Sequence, residues 1–320
     1  MQGQEGSTPS YKMVQSVVAH RGSVTCVAFS PTKPIFASAS YDGKVGLWDA
    51  SRKPPKKVAS VKGHEGAVHT LIFSLDGEFL VSGCECGTVF VWNVDGTSLT
   101  TRIKARSSQS AWSTAFSFEK MMIARSVGLY AHQILFHDVS GGTAIFKGAT
   151  QVYSDESHCL AFSPDNITLA CACSDSKIRL LDVSGSVPGG EHVLEGHSGA
   201  VSCVVFTSDN KILASAADDG TINLWDRKTG SLLHTVRAGH NSPVNYLAFS
   251  PNNEILASAS DDDTIKLWEV SKGTLRELDT LSATSGHVSE NSVYSVSFSF
   301  DSRAVIAGTD EGRVVIWERA

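Results

Sequence analysis

Three short segments carry residue types that can do chemistry. Gly196-His197-Ser198-Gly199-Ala200 sets a serine hydroxyl beside an imidazole, the pairing that activates a nucleophile. The turn that exposes such a serine needs Gly-x-Ser-x-Gly between a strand and a helix. Here the fifth residue is Ala200 and no helical pattern follows. Cys84-Glu85-Cys86 and Cys171-Ala172-Cys173 offer pairs of soft donors, the kind that thiophilic metals select. They stand in slots filled elsewhere by Ser38-Ala39-Ser40 or Ser215-Ala216-Ala217, and they lie two repeat units apart. They therefore read as small buried thiols. No Gly-rich phosphate loop opens a helix. The expectation is no catalytic residue, no metal and no cofactor.

Those slots exist because the chain repeats. Leu47-Trp48-Asp49, Val91-Trp92-Asn93, Leu224-Trp225-Asp226, Leu267-Trp268-Glu269 and Ile316-Trp317-Glu318 are five copies of one ending, and Phe136-His137-Asp138 and Leu180-Leu181-Asp182 are two degenerate copies. The marker positions 48, 92, 137, 181, 225, 268 and 317 are spaced by 44, 45, 44, 44, 43 and 49 residues. Three residues before each marker stands Val45, Val89, Ile134, Ile178, Ile222, Ile265 or Val314, and one residue before it stands another apolar residue. Apolar residues two apart share one face of a strand. Phe29, Phe73, Phe116, Phe162, Phe206, Phe249 and Phe298 mark a second strand, and pairs such as Asp42-Gly43 and Asp219-Gly220 supply hairpin turns. Each unit is expected to be an antiparallel sheet of about four strands.

Composition narrows the class. The 320 residues carry 27 Lys and Arg against 33 Asp and Glu, a net charge of −6, which argues against a general nucleic-acid binder. No apolar run of about 18 residues is present, so no membrane span is expected. The first ten residues, MQGQEGSTPS, lack the basic and apolar regions of a secretory signal and read as a flexible tail. With seven irregularly spaced cysteines, the expectation is a reduced intracellular protein, cytoplasmic or nuclear, with free thiols. Asn166-Ile167-Thr168 matches a glycosylation acceptor by chance.

Gly63-His64, Gly196-His197 and Gly239-His240, together with the Trp-Asp endings, resemble the WD40 (β-transducin-like) repeats at their usual period. The resemblance runs from about Tyr11 to Arg319. It implies an all-β, seven-bladed propeller of four-stranded blades, a single domain over 11–320. The blades run at about 19–61, 62–105, 106–150, 151–194, 195–237, 238–281 and 282–320. Only three residues follow Trp317, so the segment 11–18 is expected to supply the outer strand of the last blade and close the ring.

The resemblance also implies a buried hydrogen-bonded set in each complete repeat. Blade 1 matches it with His20, Ser38, Asp42 and Trp48, blade 5 with His197, Ser215, Asp219 and Trp225, and blade 6 with His240, Ser258, Asp262 and Trp268. Blade 2 keeps His64, Ser82 and Trp92 but has Cys86 in the Asp slot. Blade 7 has Trp317 with Ala307 and Glu311, and His287 stands about two residues early. Blades 3 and 4 lack most of the set, though blade 4 keeps Asp175, and they are expected to be held mainly by packing. A His beside an Asp could serve acid–base chemistry. Repetition at a fixed period reads instead as architecture, because an enzyme needs one site.

In this family two slots per blade face the channel mouth. The first holds Tyr41, Glu85, Tyr130, Ser174, Asp218, Asp261 and Asp310, and the second holds Thr25, His69, Trp112, His158, Ser202, Asn245 and Tyr294. Neither contains Lys or Arg. Aromatic rings beside carboxylates suit a cation, so the expected ligand is a basic or Arg-containing peptide of a partner protein. A phosphopeptide would need an Arg cluster. The leading expectation is a non-catalytic scaffold of a multiprotein complex, monomeric by itself. Trp225-Asp226-Arg227-Lys228 loosely resembles an adaptor-docking motif of ubiquitin-ligase substrate receptors, which is one alternative. A propeller hydrolase using the mouth carboxylates and histidines is a minor one. Arg52-Lys53-Pro54-Pro55-Lys56-Lys57, with Arg102, Lys104 and Arg106, reads as solvated surface or as a basic rim for an acidic partner.

Overall fold

The computed structural model describes residues 10–96, 98–105, 111–127, 133–141, 143–151, 156–185, 189–237, 239–283 and 292–320, without the side chains of residues 111 and 112. Among the described residues there is no helix, and the strands form seven four-stranded antiparallel sheets. This is the seven-bladed propeller expected from the repeats. In blade 1, Val24–Phe29 is the inner strand, followed outward by Ile35–Ser40, Lys44–Asp49 and Lys56–Lys62. Inner strands of successive blades touch around the channel, and Val24–Phe29 meets Val293–Phe298 of the last blade.

The hydrophobic residues segregate into clusters that lie between blades rather than within them. Ala37, Leu47 and Val45 of blade 1 pack on Leu71, Leu80 and Trp92 of blade 2. Phe36 and Trp48 on the opposite face of blade 1 pack on Ile306, Val314 and Ile316 of blade 7. A strand packed on both faces must be apolar throughout rather than alternating, and Ile35–Ser40 and Ile255–Ser260 are buried at every position. The turns between the second and third strands use glycine where the backbone turns left-handed, with φ of 73° at both Gly43 and Gly220.

Closure follows the expected route. Tyr11–Val18 pairs antiparallel with Arg313–Arg319, from Tyr11 opposite Arg319 to Val18 opposite Arg313. The Tyr11 ring is buried in the cluster shared by the last two blades, and its hydroxyl donates to the Ser302 carbonyl at 2.8 Å. Arg313 Nε donates to Ser16 Oγ at 2.8 Å.

Two expectations need correction. Cys84 and Cys86 are joined in a disulfide, so the free-thiol reading fails for this pair. The strand register also moves them two residues past the Ser38-Ala39-Ser40 slot expected of them: they stand where blade 1 has Ser40 and Asp42, whose side chain and backbone meet across the turn (Asp42 N–H to Ser40 Oγ, 3.0 Å). Blades 3 and 4 share an apolar core through Ile134, Phe136, Leu160 and Leu169, and polar contacts add to it. The Asn166 side chain is buried and accepts from Ser117 Oγ at 2.7 Å, tying blade 4 to blade 3.

Removing residues 1–18 should bare the outer edge of Arg313–Arg319 and empty the Tyr11 pocket. Loss of a buried aromatic side chain alone costs about 3–5 kcal/mol. The truncated chain should therefore unfold at clearly lower denaturant concentration, and equal midpoints would contradict closure by this strand.

Candidate functional site

The His–Asp pairs are spent inside the blades. In blade 5, Trp225 Nε1 donates to Ser215 Oγ at 2.8 Å, and Ser215 Oγ lies 2.7 Å from His197 Nε2. His197 Nδ1 is 2.9 Å from Thr221 Oγ1 and 3.6 Å from Asp219 Oδ1, and Thr221 Oγ1 donates to Asp219 at 2.6 Å. Blade 6 repeats the chain through Trp268, Ser258 and His240, with His240 Nδ1 at 2.9 Å from Asp262. Blade 1 does so through Trp48, Ser38 and His20, with His20 Nδ1 at 3.1 Å from Asp42. One set of directions satisfies all of these groups. Indole donates to serine, the serine hydroxyl donates to Nε2, and Nδ1–H donates to the carboxylate in blades 1 and 6 and to Thr221 Oγ1, which itself donates to Asp219, in blade 5. The three imidazoles are enclosed within their blades, with His20, His197 and His240 side chains 1%, 1% and 0% exposed.

Burial sets the titration of these groups. It pushes His20 and His197 below the ordinary imidazole value against the pull of their aspartates. It raises the Asp42 carboxyl, but His20 and the N–H groups of Arg21 and Lys44 more than reverse this, and Asp42 ends below its usual range. In blade 2, His64 Nε2 meets Ser82 Oγ at 2.7 Å and Trp92 Nε1 donates to the same oxygen at 2.8 Å. With no aspartate present, His64 Nδ1 has no hydrogen-bond partner, and burial, with Lys104 adding to it, pushes His64 down to about 4.

The degenerate blades substitute other polar groups. Arg125 stands in the serine slot of blade 3, and His137 in the tryptophan slot. Arg125 is fully buried and its Nη1 donates to the Gly87 carbonyl of blade 2 at 2.6 Å, while its Nη2 lies 3.0 Å from His137 Nε2. In blade 4, Arg179 grips Asp175 with both Nη atoms, at 2.9 and 2.6 Å, and Glu191 at 3.0 Å. Asp175 thus keeps a cationic partner in place of the missing histidine. The sequence reading missed Arg125 and Arg179. A charged residue inside the apolar strands Met122–Val127 and Lys177–Asp182 was the available signal. It also missed Thr221 and Thr264, which stand two residues after the turn aspartate.

At the channel mouth, a cavity of about 400 Å³ is lined by Thr25, Tyr41, His69, His158, Ser202, Asn245 and Tyr294, among others. The structure thus brings together six of the seven second-slot residues. The Trp112 side chain and Tyr130 lie outside the described residues, as does His287. Several second-slot groups bind the neighbouring blade. Thr25 Oγ1 donates to the Val68 carbonyl, Ser202 Oγ to the Val244 carbonyl, and Asn245 Nδ2 to the Val293 carbonyl at 3.1 Å. Asn245 Nδ2 also reaches Asp261 Oδ1 at 2.7 Å. Around the rim, Tyr41 is exposed and meets the His69 ring edge-on at 5.5 Å, and His69 lies 3.9 Å from Glu85. Asp218 is exposed. The Asp310 Oδ1 atom is buried without a hydrogen-bond partner, and burial, with Glu311 adding to it, raises the Asp310 carboxyl above its usual value. Burial also raises the Tyr294 hydroxyl, with the charges of Asp310, Tyr41 and Asp261 contributing.

A family model for the WD domain, G-beta repeat, matches residues 11–49, 55–93, 145–182, 191–226, 230–269 and 278–318. The chain belongs to the WD40 family. The WD40 matches are staggered against the sheets, since 11–49 runs from the closing strand through the third strand of blade 1. Residues 94–144, with Arg125 and His137 in place of serine and tryptophan, fall between matches. The chain is 32% identical over 99 residues to small ribosomal subunit protein RACK1 of Dictyostelium discoideum, covering 29% of this chain and 30% of that one. It is 26% identical over 181 residues to WD repeat-containing protein SL1-17 of Schistosoma mansoni, covering 56% and 57%. It is 35% identical over 80 residues to telomerase Cajal body protein 1 of Rattus norvegicus, covering 24% and 15%. The matched stretches thus span less than two thirds of each relative.

The remaining sequence candidates take structural places. Ser198 donates from its N–H and its hydroxyl to Asp219 Oδ2, as a turn residue does. Among the basic residues at the edges of blades 1 and 2, Arg52 pairs with Asp49, Lys53 with Glu318, and Lys57 and Arg102 lie over the Trp48 and Phe79 rings. No group of three or more His, Cys, Asp or Glu side chains able to hold a metal ion occurs among the described residues, and no helix among them is long and apolar enough to cross a membrane.

Ser215→Ala removes the shared partner of His197 and Trp225. Buried groups left unsatisfied cost about 1–3 kcal/mol each, so the variant should lose about 2 kcal/mol or more in urea unfolding, while exposed Ser198→Ala stays within about 0.5 kcal/mol. An imidazole held below its unfolded pKa is protonated first in the unfolded chain. The melting temperature should therefore fall as pH drops from the ordinary histidine value of 6.5 towards about 4, where His64 titrates in the folded chain. A flat profile over that range would contradict buried neutral imidazoles.

Proposed function

We propose that this protein is a non-catalytic interaction scaffold whose channel mouth takes up a basic, arginine-containing segment of a partner protein. The observation that carries this reading is the buried Asp310 Oδ1, which has no hydrogen-bond partner, on the side of the ring where Tyr294 feels the charges of Asp310, Tyr41 and Asp261. A guanidinium entering there would stack on a tyrosine ring and give that oxygen a charge-assisted hydrogen bond. Glu85 and Asp218 extend the same sign of charge around the rim, and neither slot contains Lys or Arg. Asn245 is an orienting group for Asp261 in this scheme, not a ligand contact. The scaffold class agrees with a family in which relatives carry names of larger assemblies, the small ribosomal subunit and the Cajal body. Those names also suit an intracellular setting, cytoplasmic or nuclear. A monomer fits a ring whose last sheet is completed by its own first strand.

The alternatives gain less. Arg227 of the adaptor-like motif is occupied within the chain, 2.8 Å from Asp165 and 3.0 Å from Thr168 of blade 4. A hydrolase would have to work with His69 and His158 at the mouth, because the His20, His197 and His240 side chains are enclosed in the blades, 1%, 1% and 0% exposed.

The test is a lysate pull-down with wild-type protein and the Asp218→Ala/Asp261→Ala variant, both confirmed as folded, followed by titration of a labelled peptide from the captured partner. Each hydrogen bond to a charged group contributes about 1.5–3 kcal/mol, so losing two carboxylates should weaken an Arg-containing peptide by at least about a hundredfold. Unchanged affinity would refute the mouth as the site.

A further inference from the structure

Sulfur lines part of the mouth cavity. Cys26 of blade 1 and Cys159 of blade 4 line the floor of the mouth cavity with Leu71 and Tyr246. Cys203 of blade 5 is buried beside them and packs against Cys159. The Cys159 thiol crosses the blade 4–5 boundary, its Sγ lying 3.7 Å from the carbonyl of Val204, the residue after Cys203, and it packs on the core cluster that contains Cys203. The inner strands that carry the two residues, Ser157–Phe162 and Val201–Phe206, touch along the channel.

The two thiols are not equivalent. The neighbouring Cys203 thiol holds Cys159 below the ordinary thiol value despite its burial, whereas Cys159, with burial, raises Cys203 well above it. Cys159 is half-buried and faces the cavity, and Cys203 sits behind it. The other sulfurs lack this arrangement. Cys171 and Cys173 are 3.4 Å apart but sealed in the blade 3–4 core, Cys84 and Cys86 are already joined, and Cys26 lies against Tyr246.

We propose that Cys159 and Cys203 form a peroxide-responsive thiol pair in the channel wall, with Cys159 as the attacking sulfur and Cys203 as the resolving one. Hydrogen peroxide is small enough to enter the mouth cavity. The Cys159 thiolate attacks one peroxide oxygen, the O–O bond breaks, and the departing hydroxide takes up a proton as water. Cys159 is then a sulfenic acid. The deprotonated Cys203 sulfur attacks Cys159 Sγ, the S–O bond breaks, and the oxygen leaves with the Cys203 proton as a second water. Two thiols have lost two electrons, peroxide has gained them, and one disulfide links blade 4 to blade 5. This inference does not depend on what binds at the mouth.

The full chain, reduced and then treated with a few equivalents of hydrogen peroxide, should be alkylated and digested without reduction using trypsin and chymotrypsin, which separate Cys159 from Cys171. Mass spectrometry should find a peptide pair linked through Cys159 and Cys203, lighter by two hydrogens than the free pair. Cys203→Ala should lose the link and accumulate a dimedone adduct at Cys159. Cys159→Ala should lose both link and adduct, and Cys159→Ser provides a closer replacement should alanine impair folding. A Cys159 that stays reduced in folded protein, a stable Cys159 adduct with no link in wild type, or oxidation at Cys26 instead would each overturn the proposal.

Discussion

No blade of this protein can bury both of its faces by itself. The central strands are apolar on both sides, and each hydrophobic cluster joins one blade to the next. A row of such sheets leaves two apolar faces bare at its ends unless the row curves round and meets itself. The requirement that the last blade pack on the first is therefore what the remaining structure rests on. It is met by Phe36 and Trp48 against Ile306 and Ile316, and it is fixed in register by Tyr11–Val18 along Arg313–Arg319. Because the first strand belongs to the last blade, the chain termini share one sheet, and the seam is hydrogen-bonded as well as packed.

Within that ring the polar chain from tryptophan through serine and histidine to aspartate does local work. It ties the third strand of a blade to the second and to the loop that enters it. A buried network of this kind fixes one geometry because any other arrangement would leave a donor or acceptor without a partner. Where the chain is broken, other groups fill the requirement, as with Arg179 on Asp175 and Arg125 on Gly87 and His137. Channel-facing residues also bind neighbouring blades, as Thr25, Ser202 and Asn245 do. The two openings differ in character. The proposed binding mouth is polar and anionic, whereas the opposite one, a cavity of about 590 Å³, is lined by Phe73, Phe116, Phe162, Phe206 and Phe249, the aromatic markers of the repeat.

Much of this was legible because repetition turns weak signals into a register. Trp48 alone says little. Seven markers at a near-constant period place every strand, the closing segment and the channel-facing slots, and the cavity lining agrees with the second slot at Thr25, His69, His158, Ser202, Asn245 and Tyr294. What escaped were contacts across blades, which no period encodes. The reach of Arg125 to Gly87, the commitment of Asn245 to Val293, and the meeting of Cys159 with the cluster around Cys203 join residues 38, 48 and 44 positions apart. The Cys84–Cys86 bond escaped for a different reason. An isolated pair in a turn looks the same in sequence whether it is reduced or joined.

The central claim is that a rigid, closed ring offers its anionic aromatic mouth to a cationic segment of a partner. Amide hydrogen exchange of the chain with and without a saturating arginine-rich peptide tests it most directly. The account predicts slowed exchange in the turns around Tyr41, Asp218, Asp261 and Asp310, with no change around Leu75, Asn166 and Asn253 at the opposite opening. Protection confined to the opposite opening or to the outer blade edges would contradict it.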